Sequence, residues 1–250
     1  MTINYVIYSH TDYARILRVE TEYVKKYKNK TLFINKNPDV NLDDVFKEYD
    51  QIIFYNDSDP YATRLLHCFS QMKCDYVLFF HENDILLNVD EEMVSKLHDV
   101  MVDNDMDRID LKYFECKSPT TPRVIVDDET SLIRSLIPQE YVYNVNPAIW
   151  KRNAFMEMLT AFKHKTYRDI EHWDVQFFCL RYRVYKVNTK TYLKCGYLDS
   201  PKFFKFLHIS HSGKLLTPNA TSTTEYGQTY IDAKQEYDII MEKHFPETLK

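Results

Sequence analysis

The chain has 250 residues, enough for one large domain or two small ones with a substantial core, and its 44% hydrophobic and 28% charged residues make an ordinary globular composition. A net charge of −5 and a pI near 6.0, with no dense Lys/Arg block, argue against a nucleic-acid-binding surface. The most basic run, Lys25 to Lys30, reads as the solvated end of a helix. No segment approaches the roughly 18 to 20 apolar residues of a membrane span, and "MTINYVIYSH" lacks a signal peptide's basic region and long apolar core, so the expected location is the cytoplasm. The five cysteines, Cys68, Cys74, Cys116, Cys179 and Cys195, never form C-x-x-C and fit reduced thiols. There are only three glycines, Gly196, Gly213 and Gly227, which excludes a Walker loop or a G-x-G-x-x-G turn. Any phosphate has to be met by a metal ion, basic side chains or helix N-termini.

From the N-terminus, Asn4 to Ser9 is a short β-branched and aromatic strand, followed by Tyr13, Ile16, Leu17, Tyr23, Val24 and Tyr27 at helical spacing. Thr31 to Ile34 reads as a second strand, "PDVNLDDVFKEY" as a short helix, and Gln51 to Tyr55 as a third strand. Ser58 or Asp59 then caps a helix with Pro60 at its first position and Tyr61, Leu65, Cys68, Phe69 and Met72 on one face. Tyr76 to Phe80 is the next strand. This alternation predicts βαβ units, hence a parallel sheet with right-handed crossovers and ligands at the carboxyl ends of its strands.

Asn88 or Asp90 caps a helix through "EEMVSKLHDVMVD", and Arg108 to Cys116 is another strand. Lys117 to Val142 reads as loop and hairpin. "NPAIW" leads into an amphipathic stretch with Phe155, Met158, Leu159 and Phe162, and Asp169 to Leu180 is a further helix. Strands follow in "YRVYKV" and "FFKFLHIS", and a polar helix closes the chain over roughly 222–245. With no repeat and no linker, one domain is expected.

Four places carry possible chemistry. The strand "YVLFF" stops at His81-Glu82-Asn83-Asp84, where Glu82 and Asp84, spaced acid-x-acid, suit a hard divalent cation such as Mg²⁺ or Mn²⁺; a solvated turn is the alternative. His208 and His211 lie at or past the end of a late strand, where a histidine can complete a metal shell and Lys214 can meet a phosphate, or where both are merely polar strand-end residues. Arg64, one turn inside the helix after Pro60, is placed either to bind an anion or as a surface arginine. "EHWDVQ" offers Glu171 and Asp174 beside Trp173; an Asp174 in a desolvated pocket would have a raised pKa and act as a general base, whereas a plain helix surface would carry the same pair without chemistry.

Taken together, "YNDSDPYATRLLHCFSQMKCDYVLFFHENDILL", "NPAIWKRNAF", "HWDVQ" and "HISHSGK" resemble the GT-A-type nucleotide-sugar glycosyltransferases, particularly small ones of large DNA viruses and bacteria. The resemblance covers roughly residues 4 to 214 and rests on the order of the pieces. It implies an α/β, single-domain, Rossmann-like fold with a mostly parallel sheet flanked by helices. About 1–115 would be the nucleotide-sugar-binding half and about 116–215 the acceptor-side half.

The same resemblance implies Glu82 and Asp84, with His211 or His208, as metal ligands, and Arg64 as a diphosphate contact. It places Ser9, His10 and Asp12 beside the nucleotide base, puts Asn83 and Lys214 among the donor contacts, and makes Asp174, with Glu171, the acceptor-activating carboxylate. Glu82 stands where the pattern has Asp, and Gln176 where it has a second acid. The implied activity is Mn²⁺- or Mg²⁺-dependent transfer from a nucleoside-diphosphate sugar to a hydroxyl of a glycan or glycoprotein, inverting if Asp174 acts from the face opposite the leaving group, in a host cytoplasm if the chain is viral. The alternatives are a non-catalytic carbohydrate- or partner-binding module and a sugar nucleotidyltransferase, although the latter usually carries a glycine-rich N-terminal loop.

Overall fold

The computed structural model describes residues 3–116, 120–138, 142–193, 199–211, 214–215 and 234–249. The first half is built as the alternation predicts: β1 (Asn4–Tyr8), α1 (Ala14–Val24), β2 (Lys30–Asn35), α2 (Asp43–Phe46), β3 (Gln51–Tyr55), α3 (Tyr61–Ser70) and β4 (Tyr76–His81). Then come β5 (Asp84–Val89), α4 (Glu91–Asp103), β6 (Arg108–Tyr113), the hairpin β7 (Arg123–Ile125) and β8 (Thr130–Arg134), β9 (Ala148–Lys151), α5 (Arg152–Ala161), α6 (Trp173–Cys179) and β10 (Val184–Thr189). Short pairs follow, β11 (Tyr192–Leu193) with β12 (Ser200–Pro201), then β13 (Phe204–His208), β14 (Ser210–His211), β15 (Lys214–Leu215) and α7 (Lys234–His244). Of the expected closing helix, 222–233 lies outside the described residues.

The central sheet has nine strands among the described residues, in the order β3-β2-β1-β4-β9-β6-β10-β8-β7. All but β9 and β8 run in one direction, so the sheet is mixed but mostly parallel. Both faces are covered, which explains why β1, β2 and β4 read as near-continuous apolar runs. Ile7, Leu32, Leu78 and Phe80 pack on one face with Leu17 of α1 and Leu97 of α4. Val6, Phe33, Val77 and Phe79 pack on the other with Phe69 of α3, Phe155 of α5 and Val175 of α6.

Three features depart from the sequence reading. "NPAIW" holds an antiparallel strand, β9, wedged between β4 and β6, with Trp150 opposite both Val77 and Arg108. "FFKFLHIS" forms β13 outside the main sheet, paired antiparallel with β5, which is the second apolar run of "YVLFFHENDILL". α7 covers that ribbon through Tyr237, Ile240 and Met241, with Phe245 just past its end, against Ile16, Ile85 and Leu207. Asp169 to His172, expected as the first turn of a helix, are turns that precede α6.

A buried charge fixes the segment that passes behind β4. Arg108, 0% exposed, donates to the carbonyls of Val142 at 2.7 Å and Asn144 at 3.1 Å and to Asn144 Oδ1 at 2.6 Å. Its guanidinium lies 3.6 Å from Asp110 and over the Trp150 ring. Removing one member of such a pair strands the other without water. Arg108→Met is therefore expected to lower the unfolding free energy by about 3 to 5 kcal/mol, read as a lower urea midpoint at unchanged slope. A loss under about 1 kcal/mol would show that the pair does not anchor this segment.

Candidate active site

The connection through α1 and α2 carries the chain from β1 outward to β2 and β3, and the connection through α3 brings it back to β4 on the other side of β1. β1 and β4 are therefore parallel neighbours, Tyr8 opposite His81, whose following loops diverge and leave a crevice at their carboxyl ends. A cavity of about 730 Å³ opens there, within the size range of small-molecule sites.

Its floor is the turn after β4. Glu82 N–H donates to Tyr8 O at 3.2 Å, continuing the β1 ladder, while Ile209 N–H donates to Asn83 O at 2.9 Å and Asn83 Nδ2 to Ser210 O at 3.2 Å. Asp84 opens β5 and is hydrogen-bonded to His208 of β13, Oδ1 to Nδ1, at 2.7 Å. Sheet and ribbon thus grip the acid turn from two sides. Glu82 lines the cavity but is only 6% exposed, and burial, with the charge of Asp84 adding to it, pushes its carboxyl up to about 8. Behind it sits Glu20 of α1, wholly buried, whose Oε2 accepts from Leu86 N–H at 3.0 Å; burial raises it well above the usual carboxylate range.

His81 shapes the cavity rather than offering a free nitrogen. Its Nδ1 lies 3.2 Å from the Val145 carbonyl, an acceptor only, and its Nε2 lies 2.9 Å from Tyr61 Oη. That pairing puts the proton on Nδ1 and makes Nε2 accept from the tyrosine. Burial lowers its pKa to about 4, so the ring is neutral. Tyr8, Tyr61 and Tyr167 pack around it, with centroids at 5.4, 6.0 and 5.5 Å.

The other wall is polar. Arg64 of α3 lines the cavity with its guanidinium 3.0 Å from Asp57 and over the Tyr55 ring, and its Nε donates to Asp59 O at 2.7 Å. Asp57 also meets His10 Nε2 at 2.9 Å, and His10 Nδ1 accepts from Asp12 N–H at 3.0 Å. Both His10 and Asp12 line the cavity. Ser9 does not, being fully buried, with its carbonyl accepting from Tyr55 Oη at 2.7 Å. Across the mouth runs the strap 163–172, docked on α3 by Ala62 N–H to Lys165 O at 3.3 Å and Thr63 Oγ1 to Lys163 O at 2.6 Å. It brings Tyr167 and the exposed Arg168 to the cavity, two residues that no sequence signal marked because the strap is irregular chain.

Asp174 differs from its expected setting. Its side chain is 53% exposed and 2.8 Å from Lys165, and that hydrogen bond and charge hold its carboxyl below the usual range. Glu171 is the desolvated acid instead. Its Oε1 accepts from Val145 N–H at 2.7 Å, and burial raises its pKa. It lines a second cavity of about 350 Å³, with Pro138, His172, Trp173 and Gln176. His211 and Lys214 stand in the β14–β15 hairpin, and their side chains lie outside the described residues.

No group of three or more His, Cys, Asp or Glu side chains among the described residues is placed to hold a metal by itself. Of the expected shell, Glu82, Asp84 and His208 are not placed as an all-protein cage, and the His211 side chain lies outside the described residues. Mg²⁺ and Mn²⁺ do not need a cage: one or two carboxylates plus substrate phosphates and water suffice. Glu82, Asp84 and the buried Asn83 Oδ1, which has no hydrogen-bond partner among the described residues, are oxygen donors of that kind.

No protein family and no curated protein matches the chain. Among solved structures, a cytidylyltransferase from Leptospira borgpetersenii serovar Hardjo-bovis is similar at 12% identity and a TM-score of 0.51, over 97% of this chain and 95% of that one. S. aureus TarS 1–349 and a CMP:2-keto-3-deoxy-manno-octonic acid synthetase complexed with CTP match 74% of this chain at 14% and 13% identity, with TM-scores of 0.45 and 0.46. This chain spans 58% of the TarS 1–349 chain and 89% of the synthetase. At such identities the likeness shows a shared fold: a single Rossmann-like α/β domain built on a mostly parallel sheet.

The neutral His81 sets a pH dependence. Its folded pKa lies near 4 against 6.5 unfolded, so between those values the unfolded chain takes up a proton that the folded one refuses, and folding weakens as pH falls. Glu82 acts oppositely between 4.5 and about 8, so the effect is read as a difference against a variant. Between pH 6.5 and about 4 the native protein is expected to lose up to about 1.4 kcal/mol per pH unit relative to His81→Gln in urea unfolding. Parallel pH profiles for the two proteins would contradict a neutral buried imidazole.

Proposed function

We propose that this chain is a divalent-metal-dependent glycosyltransferase that moves a sugar from a nucleoside-diphosphate sugar to a hydroxyl of a glycan or glycoprotein. The observation that carries the proposal is one cavity at the sheet's switch point, lined by Glu82 and Asn83 of the anchored acid turn, with Asp84 buried beside them on His208, and by the cations Arg64 and Arg168. Without a glycine loop, these are the groups able to meet a diphosphate. Glu82, Asn83 and Asp84 would hold Mg²⁺ or Mn²⁺, which when bound neutralises charge on a leaving diphosphate.

The chain's own residues do the rest. Arg64 is held rigidly by Asp57 and Asp59, so it presents its guanidinium to the diphosphate at little ordering cost. Arg168, on the strap, lines the same cavity and supplies a second guanidinium. His10, Asp12 and Tyr13 form the wall against which the nucleoside lies. Tyr61, Tyr167 and the neutral His81 give the sugar end a drier lining, in which charge interactions are stronger. For the base, the desolvated Glu171 is better suited than Asp174: its second oxygen, Oε2, takes the proton of the acceptor hydroxyl as that oxygen attacks. Asp174, ion-paired with Lys165, instead pins the strap to α6.

Nucleotidyl transfer is the competing reading, since the fold is shared with a cytidylyltransferase. The loop after β1, His10 to Asp12, contains no glycine and presents an acid to the cavity, a poor cradle for a triphosphate.

Calorimetry with a panel of nucleoside diphosphates is expected to show binding of one of them with Mn²⁺ or Mg²⁺, abolished by chelator and weakened at least about 100-fold in Asp84→Ala. Absence of binding to any member by the folded protein would remove the donor site. In assays of nucleotide-sugar turnover, Glu171→Gln is expected to lower kcat about 100-fold or more at similar KM, and Asp174→Asn far less. The reverse order would return the base role to Asp174. Turnover of a nucleoside triphosphate with a free sugar, and none of a nucleoside-diphosphate sugar, would favour nucleotidyl transfer.

A further inference from the structure

The smaller cavity beside Glu171 is not used by the donor reading. It is lined by Pro138, Glu171, His172, Trp173 and Gln176, and at about 350 Å³ it falls at the lower end of the range for small-molecule sites. Trp173 opens α6 and is 56% exposed, and Phe177, one turn later, is 63% exposed with the ring centroids 6.5 Å apart. Large aromatics usually contribute to packing, yet here two stand side by side in solvent, at the rim of a cavity.

The floor under them is rigid. Gln176, 2% exposed, spends its whole amide on the backbone: Oε1 accepts from Tyr143 N–H at 2.8 Å, and Nε2 donates to Tyr143 O at 2.7 Å and Glu171 O at 3.0 Å. The polar groups left to a ligand are Glu171 Oε2 and the His172 imidazole, whose side chain is 61% exposed. A flat aromatic face flanked by a carboxylate oxygen and an imidazole is amphipathic on a small scale. A pyranose matches it, with apolar C–H faces for the ring and hydroxyls at its edge for Glu171 and His172. An apolar peptide would leave Glu171 desolvated without a partner.

Position supports the same occupant. Residues 166–168 line the larger cavity, and Glu171 and His172, a few residues along the same strap, line the smaller one. A ligand on Trp173 is therefore a few residues of strap away from the proposed donor site, on the side that carries Glu171. We propose that Pro138, Glu171, His172 and Trp173 form a saccharide subsite that holds the acceptor end of a glycan, Trp173 stacking on a pyranose ring; this rests on the glycosyl-transfer reading for its role but not for its chemistry.

The chain has two tryptophans, and Trp150 is 1% exposed, so solvent-sensitive fluorescence reports Trp173. Neutral tetrasaccharides of glucose, mannose and N-acetylglucosamine are titrated into the full chain without nucleotide or metal. At least one is expected to shift the emission to the blue and to protect it from acrylamide. Calorimetry is expected to show binding about tenfold weaker in Trp173→Ala and partly recovered in Trp173→Phe, with circular dichroism confirming that both fold. No response to any of the three saccharides overturns the proposal, as does equal binding by Trp173→Ala. A blue shift that depends on protein concentration alone also overturns it, because it assigns the aromatic face to a second copy of the chain. Nucleotide binding is measured separately, so loss of the donor reading and loss of this subsite are distinguishable.

Discussion

The turn from Glu82 to Asp84 is held from both sides, and the candidate site depends on that grip. On one side, Glu82 N–H extends the hydrogen-bond ladder of β1. On the other, the β5–β13 ribbon fixes Asn83 and Asp84 through Ile209, Ser210 and His208. Two carboxylates at a buried strand end repel each other and resist desolvation, and a loose turn would swing them into water. The ribbon prevents this, and α7 in turn covers the ribbon with Tyr237, Ile240 and Met241. Elements distant in sequence are thus part of the site because they hold its acids in place.

The second constraint is the line of buried polar groups behind the cavity. Arg108 and Asp110 fix the segment 142–146, in which the Val145 carbonyl meets His81 and the Val145 N–H meets Glu171. One residue, held in place by that buried charge pair, therefore links the neutral ring and the desolvated acid. Buried charges contribute little net stability compared with apolar packing of equal volume. They are concentrated here, and burial pushes Glu20, Glu82 and Glu171 all toward the protonated form, a clustering of shifted groups that marks candidate functional sites.

Much of the frame was legible in the sequence. Apolar runs of four to six residues alternating with helical spacing marked β1 through β4, and the acid turn was placed at the carboxyl end of β4, where it stands. What stayed hidden depends on contacts without local signals. β9 is four residues after a proline, too short to show a period, and its antiparallel insertion is set by neighbours on both sides. The pairing of β5 with β13 joins Asp84 to a histidine 124 positions away. Tyr167 and Arg168 reach the cavity on irregular chain, and the ion pair that turns Asp174 into a strut comes from Lys165, whose direction no pattern gives. Residue types at the site were readable; their orientation and protonation were not, because both are fixed by burial and by partners far along the chain.

The most direct measurement is an anomalous difference map from crystals grown with Mn²⁺ and a nucleoside diphosphate. A manganese peak against Glu82 and Asp84, with the diphosphate running toward Arg64, is the expected result. A peak elsewhere, or an ordered nucleotide in another cavity with none beside the acid turn, would contradict the assignment of this crevice as the donor site.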